Sequence, residues 1–220
     1  MADVNEIREL ARMLNLMNVA NGAIDISDEK VSNKDYLYKI LLEEVNIRKA
    51  NKVRDFKKDA KLPNKKFDYT RITEGLKWQL SKIKEQDIKN DRQNIFKVGD
   101  CATGKTSLAV ELANDMLEKG ARVVYVTYDN LVAESKIKKR LWNKILNSDV
   151  IVLDDVFYMT PDEEELIQVY KVLMFLQETR SIILITNRSL STWKDMKVDT
   201  HLVETLEKRL MQDAQIIRLG

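Results

Sequence analysis

The strongest constraint on what this chain can fold into is the segment 96–106, which reads FKVGDCATGKT. An apolar run leads into the pattern Gly-x-x-x-x-Gly-Lys-Thr, and an amphipathic stretch follows it directly. A glycine-rich loop between a strand and a helix can wrap a triphosphate, so that backbone N–H groups point at phosphate oxygens. The positive end of the following helix adds to that field. The chain is therefore predicted to bind a nucleoside triphosphate.

Two residues of this loop have expected chemical roles. Lys105 is expected to reach the β- and γ-phosphates, and Thr106 is expected to offer its hydroxyl to Mg²⁺. The predicted nucleotide-binding residues are Gly99, Asp100, Cys101, Ala102, Thr103, Gly104, Lys105, Thr106 and Ser107.

Polar residues also follow two later apolar runs. Asp154 and Asp155 end the run DVIVLDD, and Asn187 ends the run SIILITN. Because ligands of a parallel sheet bind at the carboxyl ends of its strands, these side chains are expected beside the phosphates. Asp154 is placed to hold Mg²⁺ through water, and Asp155 to orient the attacking water. Asn187 is able to contact the γ-phosphate or its water, although asparagine is also a common turn residue.

From residue 94 onward, apolar strands alternate with helices. This alternation predicts a three-layer α/β/α P-loop core with a five-stranded parallel sheet covered on both faces. The predicted strands are 95–98, 122–127, 150–154, 181–186 and 216–219, with helices at 105–119, about 130–146, 161–179 and 199–212.

The earlier part of the chain has the periodicity of helices. We predict a small all-α N-terminal domain over 1–66, a linker and docking helix over 67–92, and an ATPase core over 93–220. Since the sequence stops directly after the last predicted strand, no C-terminal lid domain is expected.

Cysteine content and hydropathy indicate the cellular compartment in which the chain is expected. A single cysteine, Cys101, excludes an internal disulfide and suits a reducing compartment. The polar N-terminus does not resemble a signal peptide, and no apolar run approaches the ~20 residues that a membrane-spanning helix needs. We therefore expect a cytoplasmic protein with no membrane partner.

The net charge is only +2, but the charged residues are unevenly distributed along the chain. Residues 46–66 carry nine Lys or Arg against Asp55 and Asp59, and a second basic cluster lies at 136–140. Charge runs are usually solvated helix faces, but two clusters beside a nucleotide site favour a polyanionic partner.

The P-loop classes differ in their accompanying motifs. A Ras-type GTPase should show an NKxD segment that reads guanine, and a small-molecule kinase normally has an arginine-rich lid; neither pattern is found. A polar residue at the end of the strand beside the P-loop instead suits AAA+ and related ATPases. ATP and Mg²⁺ are therefore the predicted cofactors.

The chain resembles the IstB/DnaC group of AAA+ ATPases over nearly its whole length, and IstB more than DnaC. Trp193 favours IstB, because DnaC-like loaders generally lack it. Two features depart from the family: Asp100-Cys101-Ala102 replaces Pro-Pro-Gly, and Asp155 replaces the usual glutamate. The segments that carry the resemblance are 36–63, 67–69, TNRSLSTW at 186–193 and LEKRL at 206–210.

The resemblance implies ATP hydrolysis coupled to homo-oligomeric assembly on duplex DNA, and stimulation of a partner transposase. Arg209 would be an arginine finger acting in a neighbour's site, or else a solvated residue paired with Glu204 or Glu207. Two alternatives remain open, a replicative helicase loader and a small-molecule P-loop kinase. The implied DNA-binding residues are Arg48, Lys49, Lys52, Arg54, Lys57, Lys58, Lys136, Lys138, Lys139 and Arg140.

Overall fold

A computed structural model describes residues 4–24, 33–86, 94–99, 103–137, 140–188, 190–193, 195–196, 198–212 and 214–219. The chain divides into two compact units, Met1–Asp55 and Phe56–Gly220. This division falls before the domain boundary predicted at residue 66, because Phe56 and Ala60 pack in the core of the second unit. The three functional domains drawn from the sequence stay a prediction.

The first unit contains helix α1 (Val4–Met13), helix α2 (Met17–Ala20) and most of helix α3 (Asn33–Ala60). Its small core comprises Ala11, Val19, Ala20 and Ile24. The buried carboxylate of Glu44 stabilises this unit, since it accepts hydrogen bonds from the backbone N–H of Asn18 (3.2 Å) and the Arg48 guanidinium (2.7 Å). The N-terminal part is thus helical, as the sequence predicts.

The second unit alternates strands with helices after α3 and a short 3₁₀ helix at Tyr69–Arg71. Its helices are α4 (Glu74–Glu85), α5 (Lys105–Glu118), α6 (Tyr128–Ile137), α7 (Arg140–Leu146), α8 (Glu163–Thr179), α9 (Leu190–Trp193) and α10 (Thr200–Met211). Its strands are β1 (Asn94–Gly99), β2 (Val123–Thr127), β3 (Val150–Asp154), β4 (Ser181–Thr186) and β5 (Gln215–Leu219). Among the described residues, no helix is long and apolar enough to cross a membrane.

The five strands form one parallel sheet in the order β2-β3-β4-β1-β5. Strands β3 and β4 are buried at every position, as expected for apolar runs covered on both faces. Because β3 and β4 lie between β2 and β1, the carboxyl ends of β1, β4 and β3 are neighbours. The P-loop, Asn187 and the two aspartates follow these three ends.

Side chains alternate between two hydrophobic cores along the strands. Val150, Val152 and Ile183 face a core built with α4 and α5. Ile151 and Leu153 face the other core, which is built with α6, α8 and α10. This arrangement confirms the predicted three-layer α/β/α fold with a five-stranded parallel sheet.

Candidate functional site

The phosphate-binding loop joins the end of β1 to the start of α5. Gly99 is the last residue of β1, and residues 100–102, which include the predicted ligands Asp100, Cys101 and Ala102, lie outside the described residues. Gly104 adopts a left-handed backbone (φ 87°) immediately before α5, a conformation that glycine reaches without steric cost. The N–H groups of the first helical turn therefore face the end of the sheet, where an anion would be stabilised.

A cavity of about 310 Å³ opens in front of this helix end. It brings together residues that are far apart in the sequence and that were predicted separately from three strand ends. Its lining comprises Lys65, Thr103, Gly104, Lys105, Thr106, Ser107, Asp154, Asp155, Ile185 and Asn187. Lys105 is only 5% exposed, so its charge is presented to this cavity rather than to open solvent.

Asp154 is buried and accepts three hydrogen bonds. The Thr106 hydroxyl donates to Oδ2 at 3.0 Å, and the Tyr125 hydroxyl donates to the same oxygen at 2.7 Å. The backbone N–H of Asp155 donates to Oδ1 at 2.9 Å. A buried carboxylate needs such partners, because an unpaired charge is costly to remove from water.

Asp155 differs from Asp154 in exposure and backbone. Its side chain is exposed at the cavity, and its φ of 57° is left-handed. The surrounding protein still removes part of the hydration of the Asp155 carboxyl, which raises its pKa, and the neighbouring Asp154 carboxylate raises that pKa further. Lys65 and Lys105 oppose this shift. The two adjacent carboxylates thus have different environments, as separate chemical roles require.

The loop after Asp155 is held by an aromatic cluster. Phe157 is fully buried with a φ of 56°, and its ring packs edge-on against Trp193 (4.7 Å between ring centroids) and Tyr128 (5.3 Å). The Thr186 hydroxyl, at the end of β4, donates to the Val156 carbonyl at 2.9 Å. These contacts fix the loop that carries Asp155 against the strand that ends beside Asn187.

Magnesium fits this arrangement by the chemistry of its donors. Mg²⁺ is usually held by one or two carboxylates together with water and substrate phosphates. Asp154 and the Thr106 hydroxyl supply oxygen atoms beside the phosphate-binding loop. Within the described part of the chain, no group of three or more His, Cys, Asp or Glu could hold a metal alone. Water molecules and substrate phosphates commonly supply the remaining ligands of Mg²⁺.

A neighbouring cavity of about 400 Å³ adjoins the same loop. It is lined by Lys66, Phe67, Asp68, Arg71, Ile72, Thr103, Gly104, Ser107 and Leu219. The Phe67 ring borders Gly104, since a Cβ added at Gly104 would lie 3.7 Å from the ring, in ordinary van der Waals contact. The mixed polar and aromatic lining suits a ring system linked to the phosphates.

Sequence reasoning missed two residues of the site. Lys65 lines the cavity beside Lys105 from the segment before α4, and Tyr125 reaches Asp154 from β2. Lys65 lies within a lysine-rich run that gives no reason to select one residue. Tyr125 offered a weak signal, because it is the one aromatic residue in the strand Val-Val-Tyr-Val-Thr.

Arg209 lies in the last turn of α10 with its side chain 52% exposed. Its guanidinium is 3.9 Å from Glu178 on α8, rather than beside Glu204 or Glu207, the two partners considered from the sequence. Arg209 is not among the described residues that line the cavity beside Lys105. Exposure at a helix end leaves the side chain accessible to another molecule.

The basic residues of α3 differ in their surroundings. Arg48 is paired with Glu44 and donates to the Asn15 carbonyl, so it stabilises its own unit. Lys57 pairs with Glu118 of α5. The remaining candidates on this helix are exposed: Lys49, Lys52, Arg54 and Lys58.

The second basic cluster spans the junction between α6 and α7. Lys136 and Arg140 are exposed there, whereas Lys138 and Lys139 lie outside the described residues. Two of the four predicted cations of this cluster are thus accessible to a polyanion.

Two known proteins with similar sequences belong to insertion sequences. An IS21-like insertion-sequence ATP-binding protein from Bacteroides fragilis is 27% identical over 98% of this chain and 87% of its own length. The corresponding IS5376 protein of Geobacillus stearothermophilus is 24% identical, over 88% of this chain and 81% of its own.

Solved structures support the fold assignment. The DnaC helicase loader has a TM-score of 0.57 at 19% identity, over 73% of this chain and 97% of that one. AMPPCP-bound DnaA from Aquifex aeolicus has a TM-score of 0.51 at 24% identity, over 68% of this chain and 48% of that one. Both likenesses show that the second unit shares the fold of these proteins. The model of the IstB-like ATP binding proteins matches residues 8–220, and the chain therefore belongs to that family.

Proposed function

We propose that this protein hydrolyses ATP with Mg²⁺ and couples hydrolysis to assembly on duplex DNA, where it stimulates a partner transposase. One observation carries the ATPase part: a single cavity contains Lys105, Thr106, Asp154, Asp155 and Asn187. A cation, a hydroxyl, two carboxylates and an amide at one helix end are the groups that phosphoryl transfer to water requires.

Each residue has a proposed role in the reaction. The N–H groups at the start of α5 and the Lys105 ammonium hold the phosphates, and Asp155 orients water for attack on the γ-phosphate. Asn187 lies at the same cavity and would contact the γ-phosphate or the water. Thr106 and Asp154 would hold Mg²⁺, which when bound neutralises charge on the phosphates. The neighbouring cavity beside Phe67 would receive the base and sugar.

The transposase role rests on the relatives' names, which assign them to insertion sequences. The structural likeness to the DnaC helicase loader favours a second candidate, in which the partner is a replicative helicase. The third candidate, a small-molecule kinase, needs no DNA.

One assay tests these candidates in turn. The purified chain is incubated with ATP and Mg²⁺, and phosphate release is measured alone, with duplex DNA, and with DNA plus the transposase or helicase from the same genome. We expect DNA to increase turnover and the transposase to increase it further. Stimulation only by the helicase would support the loader, and no response to DNA would contradict both DNA-dependent functions.

DNA binding should depend on the cations at the end of α6 and the start of α7. Each phosphate that a cation neutralises contributes about −0.9 to the slope of log affinity against log salt. We expect the double variant Lys136→Ala, Arg140→Ala to make this slope about 2 units less steep. The loss of affinity should be equal on unrelated duplexes, because phosphate contacts carry no base readout. Fluorescence anisotropy over a series of salt concentrations measures both quantities.

A matched control removes two positive charges elsewhere on the second unit. Lys171 on α8 and Lys208 on α10 are both exposed, so Lys171→Ala, Lys208→Ala changes net charge equally. An identical slope change in the control would assign the effect to overall charge and remove the α6–α7 cluster from the DNA interface.

Arg209 should act in the site of a neighbouring subunit. We expect Arg209→Ala to reduce turnover by about 10³-fold, in the range of arginine fingers, while ATP affinity is retained. Mixing it with Asp155→Asn protein should partly restore turnover, because some subunit contacts then pair an intact acid with an intact arginine. Glu178→Ala is the control, since it breaks the same ion pair from the other side and should leave turnover unchanged. Failure to recover turnover at any mixing ratio would argue for independent subunits.

A further inference from the structure

Tyr125 makes a specific contact with the carboxylate that is proposed to hold Mg²⁺. Its hydroxyl lies 2.7 Å from Asp154 Oδ2, across the boundary between β2 and β3. In the sheet register, Thr127 of β2 is the partner of Asp154, and Tyr125 is two residues earlier on the same face. A long side chain at this diagonal position can reach across the strand pair. The contact thus follows from the register rather than from a flexible loop.

The hydrogen bonds to Asp154 fix the orientation of its carboxylate. A carboxylate offers about four acceptor positions, two on each oxygen. The hydroxyls of Tyr125 and Thr106 both donate to Oδ2, and the Asp155 amide donates to Oδ1. Among the donors that the described residues supply, these three leave one position, on Oδ1. That position is available to a water molecule of a hydrated metal ion.

Packing holds the Tyr125 side chain in place. The Tyr125 ring is half-buried beside the core that contains α5.

We propose that Tyr125 is a positioning residue, which orients the Asp154 carboxylate for Mg²⁺ by donating to Oδ2. This inference rests on the proposed ATPase function and deepens it. Residues that hydrogen-bond to a metal ligand, without binding the metal themselves, typically contribute 10–100-fold to metal affinity because they fix the orientation of that ligand. A role in packing alone would need the ring but not the hydroxyl.

The variant Tyr125→Phe separates these two roles, because it keeps the ring and removes only the hydroxyl. A fluorescent ATP analogue is titrated into the full chain at a series of Mg²⁺ concentrations and, separately, in EDTA. We expect the Mg²⁺ concentration at half-saturation to rise about tenfold, with affinity in EDTA unchanged. Tyr128→Phe is the matched control, since it removes a hydroxyl from a buried tyrosine in the opposite core. This control should match the wild type.

Every outcome of this experiment bears on the proposal. An unchanged half-saturating Mg²⁺ concentration in Tyr125→Phe would overturn it, and so would a loss of nucleotide affinity in EDTA, which would indicate a structural role. An equal shift in Tyr128→Phe would also contradict a specific contact with Asp154. If the wild-type chain itself binds no nucleotide, the proposed function fails, whereas a wild-type response with an unaffected variant contradicts only the inference about Tyr125.

Discussion

We expect Lys105→Ala to abolish measurable ATP binding, with an increase in dissociation constant of at least about 100-fold. Charge-assisted hydrogen bonds contribute about 1.5–3 kcal/mol each, and this ammonium is expected to contact two phosphates. The structure adds that Lys105 is buried, so its charge acts in a cavity of reduced dielectric, where electrostatic interactions are stronger than in water. Isothermal titration calorimetry with ATP and Mg²⁺ measures the change.

Lys65→Ala is the matched control, because Lys65 lines the same cavity but lies outside the loop before α5. Its removal should weaken ATP binding much less. Thermal unfolding without nucleotide shows whether each variant is folded. If folded Lys105→Ala protein kept micromolar affinity, the assignment of the P-loop as the nucleotide site would be wrong.

The second large effect is expected for Asp155→Asn, which should retain ATP binding and reduce turnover by about 100-fold or more. Asparagine has nearly the same shape but lacks the carboxylate that draws the proton from water. Removing a general base typically costs 10²–10⁴-fold in rate. Single-turnover phosphate release measures this step, and DNA-bound assemblies of the variant should persist longer.

A matched substitution tests the nearby acids at the start of α8. Glu163, Glu164 and Glu165 form the first turn of that helix and are the alternative carboxylates. Each acid changed singly to glutamine should leave turnover near the wild-type level. Normal turnover in Asp155→Asn, with a large loss in one of these three variants, would move the catalytic role to α8.

The strands of the sheet can be predicted well, because the residues that mark a strand and its ends lie within a few positions of one another in the sequence. The runs 150–154 and 181–186 match β3 and β4 residue for residue, since an apolar run closed by a polar residue marks both ends of a buried strand. The helix predicted at about 130–146 corresponds to α6 (Tyr128–Ile137) and α7 (Arg140–Leu146), and residues 138–139 lie outside the described residues.

The site could be predicted only where its residues come from strand ends. The cavity contains Lys105, Asp154, Asp155 and Asn187 because parallel strands place their carboxyl ends at one edge. Tyr125 and Lys65 could not be predicted in this way. The contact of Tyr125 depends on the pairing of β2 with β3, and the position of Lys65 depends on where the segment between α3 and α4 lies in the tertiary structure.

The left-handed backbone at Asp155 bears on which acid this position can use. Aspartate and asparagine adopt positive φ several-fold more readily than most other residues, because their short polar side chains hydrogen-bond locally. Glutamate at this position would strain the turn as well as extend the carboxylate by one methylene. The variant Asp155→Glu should therefore lower the stability of the loop. At this position the backbone, and not only the chemistry, selects the length of the acid.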